Sequence, residues 1–374
     1  MPVAITNGDQ LLPATMESFW PLSKNKVQLQ CFIKAWIKEN YSGCKPIFMA
    51  GADTFDCVQV QSNVSITVPD LTCEHEEADD RIVFHLHYLV TQRHNISSIL
   101  VATDDTDVVV SLLYHYGETW SSLGLKHLWL DKGTGTKRSI HPIHSLVNDI
   151  GHDVVKYMPA AHALTGADTT SKICTKDSLM KRTKNLKLLE GFGLQELSEE
   201  ILKKVEQFLV YYITNIKTDC NNFNELRVKF YNTYSKSLDL QKMPCSSGAL
   251  REHIKRSYLQ ANMWMTATMA KRSIITNIEM YGWTQNETGE ITATYLPAGT
   301  LIRPANLPYP CTCIKCAFDN KCICRISKIK CCRFGNVVKR RVKIKINILL
   351  FMYVYNIRYI SVFIYSVSVV FCTL

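Results

Sequence analysis

The apolar run Ile99 to Ala102 (ILVA) ends directly on the acidic run Thr103-Asp104-Asp105-Thr106-Asp107. That junction restricts the fold more than any other stretch, because four apolar residues bounded by polar ones have the length of a buried strand. Val108 to Tyr116 then reads as a helix, Lys126 to Leu130 as a second strand, and Gly133-Thr134-Gly135 as a turn. Upstream, Pro46 to Met49 is a short strand, and the alternation of Val58 to Val68 predicts a strand pair. Between about Glu74 and Val90, the residues Ala78, Ile82, Val83, Leu86, Leu89 and Val90 recur at helical spacing behind an acidic first turn. Alternating strands and helices of this kind predict an α/β domain with a largely parallel central sheet flanked by helices.

After residue 170 the pattern becomes mainly helical. A long amphipathic helix is expected from Gly193 to about Ile213, with two more over 223 to 236 and 248 to 270. Ile143 to Ile150 is a short helix closed by Gly151, and a Pro-rich stretch from Pro297 to Pro310 reads as a linker. The expected organisation is an α/β domain over 1 to 190, a helical extension over 191 to 296, a linker and Cys-rich module over 297 to 335, and a tail over 336 to 374. The net charge of +10 belongs to the end of the chain, since residues 311 to 374 carry 12 Lys and Arg against one acid, Asp319. With 47% hydrophobic residues the remainder can bury an ordinary core, which excludes a disordered, collagenous or coiled-coil protein.

Three acidic clusters fall at expected strand ends or helix starts: Glu76-Glu77-Ala78-Asp79-Asp80, Asp104-Asp105-Thr106-Asp107, and Asp168 within LTGADTT. Ligand sites in open α/β sheets form at the carboxyl ends of strands, so the three are expected to face one crevice. Carboxylates meeting there repel one another unless a cation neutralises them, and hard oxygen donors suit Mg²⁺ or Mn²⁺. The competing reading is structural, because an acid at a helix start favours the macrodipole and an Asp can simply cap the helix.

As a set, these residues resemble the flap-endonuclease branch of the PIN-like nucleases, which shows a helix-start Glu-x-Glu, a strand ending in Ser/Thr-Glu/Asp-Asp-x-Asp, and a Gly-x-Asp after a helix. The matching segments are Glu77-Ala78-Asp79, Thr103-Asp104-Asp105-Thr106-Asp107 and Gly166-Ala167-Asp168. The resemblance implies a PIN-like fold. It also implies a two-metal phosphodiesterase site in which Glu77, Asp79, Asp105, Asp107 and Asp168 hold Mg²⁺ or Mn²⁺, with Glu76 and Asp104 in reserve and Asp105, Asp107 and Asp168 closest to the chemistry. The strings EEADDR, DTDVVV and HALTGADTTS are also similar to a group of multi-copy invertebrate proteins read as derived from mobile elements. The resemblance covers roughly residues 10 to 325. That branch has a further Asp at the end of an N-terminal strand, whereas residues 1 to 45 offer only Asp9, Glu17 and Glu39 and no clear apolar strand before any of them. The expectation is therefore an N-terminally truncated domain lacking one oxygen ligand. On a regular helix Glu76 and Asp79 share a face and Glu77 and Asp79 do not, so pairing Glu77 with Asp79 requires a loose first turn.

Lys172, Lys176, Lys181, Arg182, Lys184 and Lys187 follow the third acidic box with only Asp177 opposing them. They read as a phosphate-holding segment, with a solvated helix face as the alternative. Arg251, Lys255 and Arg256 read as part of an ordinary amphipathic helix carrying Tyr258 and Trp264. His162 reads first as a hydrogen-bonded core residue, with a ligand or proton-transfer role as the alternative; His141 and His144 flank Pro142. No Gly-x-Ser-x-Gly, P-loop or Rossmann fingerprint occurs, which argues against hydrolase triads and nucleotide switches.

Cys311, Cys313, Cys316, Cys322, Cys324, Cys331 and Cys332 crowd into 22 residues. They resemble cysteine-rich CXC-type modules and are expected to bind Zn²⁺ through thiolates, rather than to form a disulfide framework. Zinc measured in the purified chain and lost on replacing these cysteines by serine is the check. The N-terminus lacks the basic and apolar segments of a secretory signal, so a nuclear or cytoplasmic location is expected. Residues 346 to 374 carry a single charge, Arg358, and are long enough to span a bilayer behind a basic flank; a tail-anchored protein is the alternative, with translated non-coding sequence or a mispredicted terminus ranked ahead of it. The chemistry thus points to a metal-dependent nuclease acting on nucleic acid, DNA ahead of RNA. The competing class is a non-catalytic nucleic-acid-binding or interaction protein of mobile-element origin.

Overall fold

The computed structural model describes residues 5, 19, 22–51, 54–92, 96–173, 185–214, 218–233, 243–272 and 277–296. The cysteine module, the tail, Lys176, Lys181, Arg182 and Lys184 lie outside the described residues.

Two small sheets share the N-terminal half. Strands β1 (Ile47–Gly51), β2 (Thr54–Gln61) and β3 (Val64–Thr67) form an antiparallel meander. Ser62 and Asn63, both at positive φ, make the two-residue turn that brings Gln61 opposite Val64. The strand period of two sorts its side chains. Met49, Val58 and Val60 pack with Ile33 and Ile37 of helix α1 (Ser23–Asn40), while Phe48, Ala50 and Cys57 pack with Phe84 of helix α2 (Ala78–Gln92). Burial pushes the Cys57 thiol up to about 12, which leaves it an inert core residue.

The second sheet carries the acidic junction. Strand β4 (Ser98–Ala102) leads into helix α3 (Thr106–His115), whose last turn widens into a π-helical turn before β5 (His127–Lys132). β4 and β5 are parallel, with Ala102 opposite Asp131. β6 (Ser139–Pro142) then returns antiparallel to β5 across a turn containing Gly133 and Gly135, both at positive φ. The expectation of a largely parallel central sheet is therefore corrected: among the described residues this sheet has one parallel and one antiparallel pair, because the loop after β5 is too short for a crossover and folds into a hairpin.

Helices α4 (Ile143–Ile150), α5 (His152–Val155) and α6 (Met158–Thr165) follow, then α7 (Glu199–Thr214), α8 (Phe223–Thr233) and α9 (Ser247–Met265). A hairpin, β7 (Trp283–Gln285) with β8 (Ile291–Ala293), closes the described chain. One hydrophobic core joins Tyr114 of α3, Ala160 and Leu164 of α6, Val205 and Phe208 of α7, and Ile254 and Trp264 of α9. The helical extension is thus packed directly onto the α/β part. Arg251, Lys255 and Arg256 are all engaged within the protein: Arg251 with Glu199, Lys255 with Glu252 at 2.9 Å, and Arg256 with the carbonyl of Gly282 at 3.1 Å. No helix among the described residues is long and apolar enough to cross a membrane.

His75, His85, His115 and His253 are buried in this structure, and burial pushes each imidazole down from 6.5 to about 4. The unfolded chain takes up these protons near 6.5, whereas the folded chain resists them until about 4. The stability they confer is complete above the unfolded value and is lost as pH falls through that window. Denaturant titrations at pH 7 and 5 should show a loss of roughly 1–2 kcal/mol per histidine at the lower pH. His85 has no hydrogen-bond partner for either ring nitrogen among the described residues. His85→Leu should flatten the acid limb without lowering stability at pH 7, and an unchanged acid limb would contradict this.

Candidate acidic site

Each acid of the Asp104 to Asp107 run is fixed differently by the junction. Thr103 continues the ladder beyond β4, its N–H donating to the carbonyl of Asp131 at 3.1 Å. Asp104 Oδ1 accepts the N–H of Gly133 at 2.7 Å, which ties this reserve residue to the end of β5. Asp105 is the N-cap of α3, and its Oδ1 accepts the N–H of Asp107 at 2.8 Å, so the structural reading of this residue holds alongside any other role. Asp107 lies in the first turn of α3 and accepts from Nε2 of His162, on α6, at 2.7 Å.

The first box is built on a helix start. α2 begins at Ala78, so Glu76 and Glu77 precede it and the helical face rule does not separate Glu77 from Asp79. Asp80 is buried and paired with Arg272 at 2.7 Å. Removal from water raises its carboxyl, with the guanidinium opposing. Two further contacts hold this entry to the α9 region, and a third braces it internally. The N–H of Glu74 donates to the carbonyl of Ala270 at 3.0 Å, Nε2 of His75 lies 3.1 Å from the carbonyl of Ala267, and Arg81 Nε donates to the carbonyl of His75 at 2.6 Å.

Asp79 is the centre of the arrangement. Burial raises its carboxyl well above the ordinary range, and the charges of Asp105, Asp107, Asp80 and Glu77 push it further in the same direction. Glu77 keeps exposed surface yet is crowded by protein, and it is raised first by that desolvation and then by Asp80, Asp168 and Glu76, with Lys26 opposing. The five carboxylates of the three boxes are therefore linked in one electrostatic chain, from Asp105 and Asp107 through Asp79 and Glu77 to Asp168.

Asp168 is exposed on the loop that leaves α6. Gly166 turns that loop at φ 123°, and a Cβ there would stand 2.8 Å from Cα of Lys172. Thr170 pins the same loop, donating to the carbonyl of Ala163 and accepting the N–H of Ala167, both at 2.8 Å. Lys172 at its end and Lys187 on a single turn at Leu186–Leu189 are exposed.

Asp131 and Arg138 went unread in the sequence. Arg138 holds Asp131 by bidentate hydrogen bonds at 2.7–3.1 Å and keeps its carboxyl below the usual range. An Asp that closes an apolar strand beside the acidic junction was the available signal. Among the described residues no three His, Cys, Asp or Glu side chains converge into a metal's ligand set. No protein-family model, curated protein or solved structure matches this chain.

Because the raised Asp79 carboxyl binds its proton more tightly in the folded chain, ionised Asp79 opposes folding fully at pH above its folded value, and the penalty shrinks as pH falls through that value and is gone below the unfolded one. Asp79→Asn should therefore raise the denaturation midpoint at pH 8 in EDTA and leave it nearly unchanged at pH 4. A variant less stable than the parent at pH 8 would contradict the repulsion.

Proposed function

We propose that this chain is a divalent-cation-dependent phosphodiesterase of PIN-like type acting on nucleic acid. The observation that supports it is the set of like charges around Asp79, whose mutual repulsion a bound cation would relieve. The donor chemistry fits: five carboxylates and no sulfur are what Mg²⁺ or Mn²⁺ selects. Asp79, Asp105 and Asp107 would hold the ions, with Glu77 and Asp168 toward the exposed side. Divalent ions bound there supply Lewis acidity toward a phosphoryl oxygen.

The chain's own residues do the rest. Asp105 keeps its side chain fixed by capping α3, and Asp79 sits on a helix start braced from α9. Lys172, four residues beyond Asp168 on a loop folded tightly at Gly166, is exposed and would meet a backbone phosphate without reading a base. A second reading, a nucleic-acid-binding protein without cleavage, draws on the absence of a closed three-donor ligand set among the described residues.

The test is cleavage of flapped and single-stranded DNA and RNA by the full chain in Mn²⁺. The control is Asp105→Asn with Asp107→Asn, which removes both charges while Asn keeps the capping oxygen of α3. Cleavage that requires Mn²⁺ and vanishes in the control is expected. Substrate binding without cleavage by the folded chain favours the second reading.

A further inference from the structure

The carboxylate of Asp107 is gripped by a side chain from a different element. His162 approaches from α6, a helix in which every residue from Met158 to Thr165 is buried, and its Nε2 lies 2.7 Å from Asp107 Oδ1. The two side chains are 5% and 14% exposed, so the contact is largely screened from water. Against a carboxylate acceptor, Nε2 is the donating nitrogen.

The ring has little freedom to leave this position. It rests 5.4 Å from the ring of Trp264, at 45°. Trp264 is itself held, because its carbonyl lies 2.8 Å from Nε2 of His115, at the other end of α3 from Asp107. The backbone of α6 is fastened to α9 by Ser257, which donates to the carbonyl of Ala163 at 3.1 Å, and by Nε2 of His253, 3.0 Å from the carbonyl of Leu164. Asp107, His162, Trp264 and His115 thus close a loop through three helices, from α3 to α6 to α9 and back.

We infer that His162 is the positioning residue of the acidic site: by donating to Oδ1 it fixes the rotamer of Asp107 and leaves the second oxygen for a divalent cation. The inference rests on the cation-site reading above and adds to it a residue outside the three acidic boxes. Partners of this kind, which orient a ligand from behind, typically alter metal affinity by about 10- to 100-fold when removed.

The experiment is Mn²⁺ affinity of the full chain by electron paramagnetic resonance, for the parent, His162→Leu and His162→Gln. Gln keeps an N–H donor near the place of Nε2, whereas Leu keeps only bulk. The parent is expected to bind, Leu to lose about tenfold or more, and Gln to recover most of that loss. A Leu variant that binds like the parent, or a Gln variant as poor as Leu, would overturn the assignment. A parent that binds no Mn²⁺ would remove the cation-site reading and this inference with it, and that failure is distinct because it precedes any substitution. Should the Leu variant fail to fold, ¹⁵N spectra of the parent imidazoles decide the matter: the His162 Nε2 signal should move on saturation with Mg²⁺, and an unmoved signal would refute the role.

Discussion

Carboxylates that repel one another are held together around Asp79, and the packing near them works against that repulsion. Asp79 is surrounded by the charges of Asp105, Asp107, Asp80 and Glu77, in a place where burial already disfavours its ionised form. Left to themselves, such groups would turn outward to solvent. They are kept in place because α2 and α3 pack on one another, with Asp79 in the first turn of one helix and Asp105 and Asp107 at the start of the other. Helix starts also tolerate the charge, since the unpaired N–H groups there present the positive end of the dipole.

The brace that opposes the repulsion comes from far along the chain. α9 and the residues just after it take the carbonyl contacts of His75 and His115, receive the N–H of Glu74, and bury the Arg272 to Asp80 pair at 2.7 Å. Breaking such a buried pair by removing one partner leaves the other charge without compensation, which is why it holds α2 firmly. The helical extension is therefore part of the acidic site's support, and the shared core of α3, α6, α7 and α9 makes the two halves one packed body.

Much of this was legible locally. Strand β4 and helices α2 and α3 follow from period and length, and the second acidic box lies at the strand-to-helix junction that the pattern assigned to it. What escaped were features without a local period. α1 carries polar residues on every turn and shows little contrast between its faces, and α6 is buried all round with a proline in its first turn, so neither advertises a helix. β6 is short, polar and ends in Pro142, which hid the hairpin that replaces a parallel crossover. The pairings of His162 with Asp107 and of Arg272 with Asp80 join residues far apart in the chain, and no window of sequence contains them. Helix boundaries shifted for a related reason: the acidic residues before Ala78 read as a first turn but lie in the approach to it, held by Ala270 and Ala267.

The central claim, proposed above, is that Glu77, Asp79, Asp105, Asp107 and Asp168 bind a divalent cation. Anomalous diffraction from crystals grown with Mn²⁺ tests it most directly, because it locates the ion without depending on turnover. The account predicts one or two anomalous peaks among these five carboxylates, with oxygen contacts at about 2.0–2.2 Å. Ordered carboxylates with no peak between them, or a peak held by other residues, would contradict it.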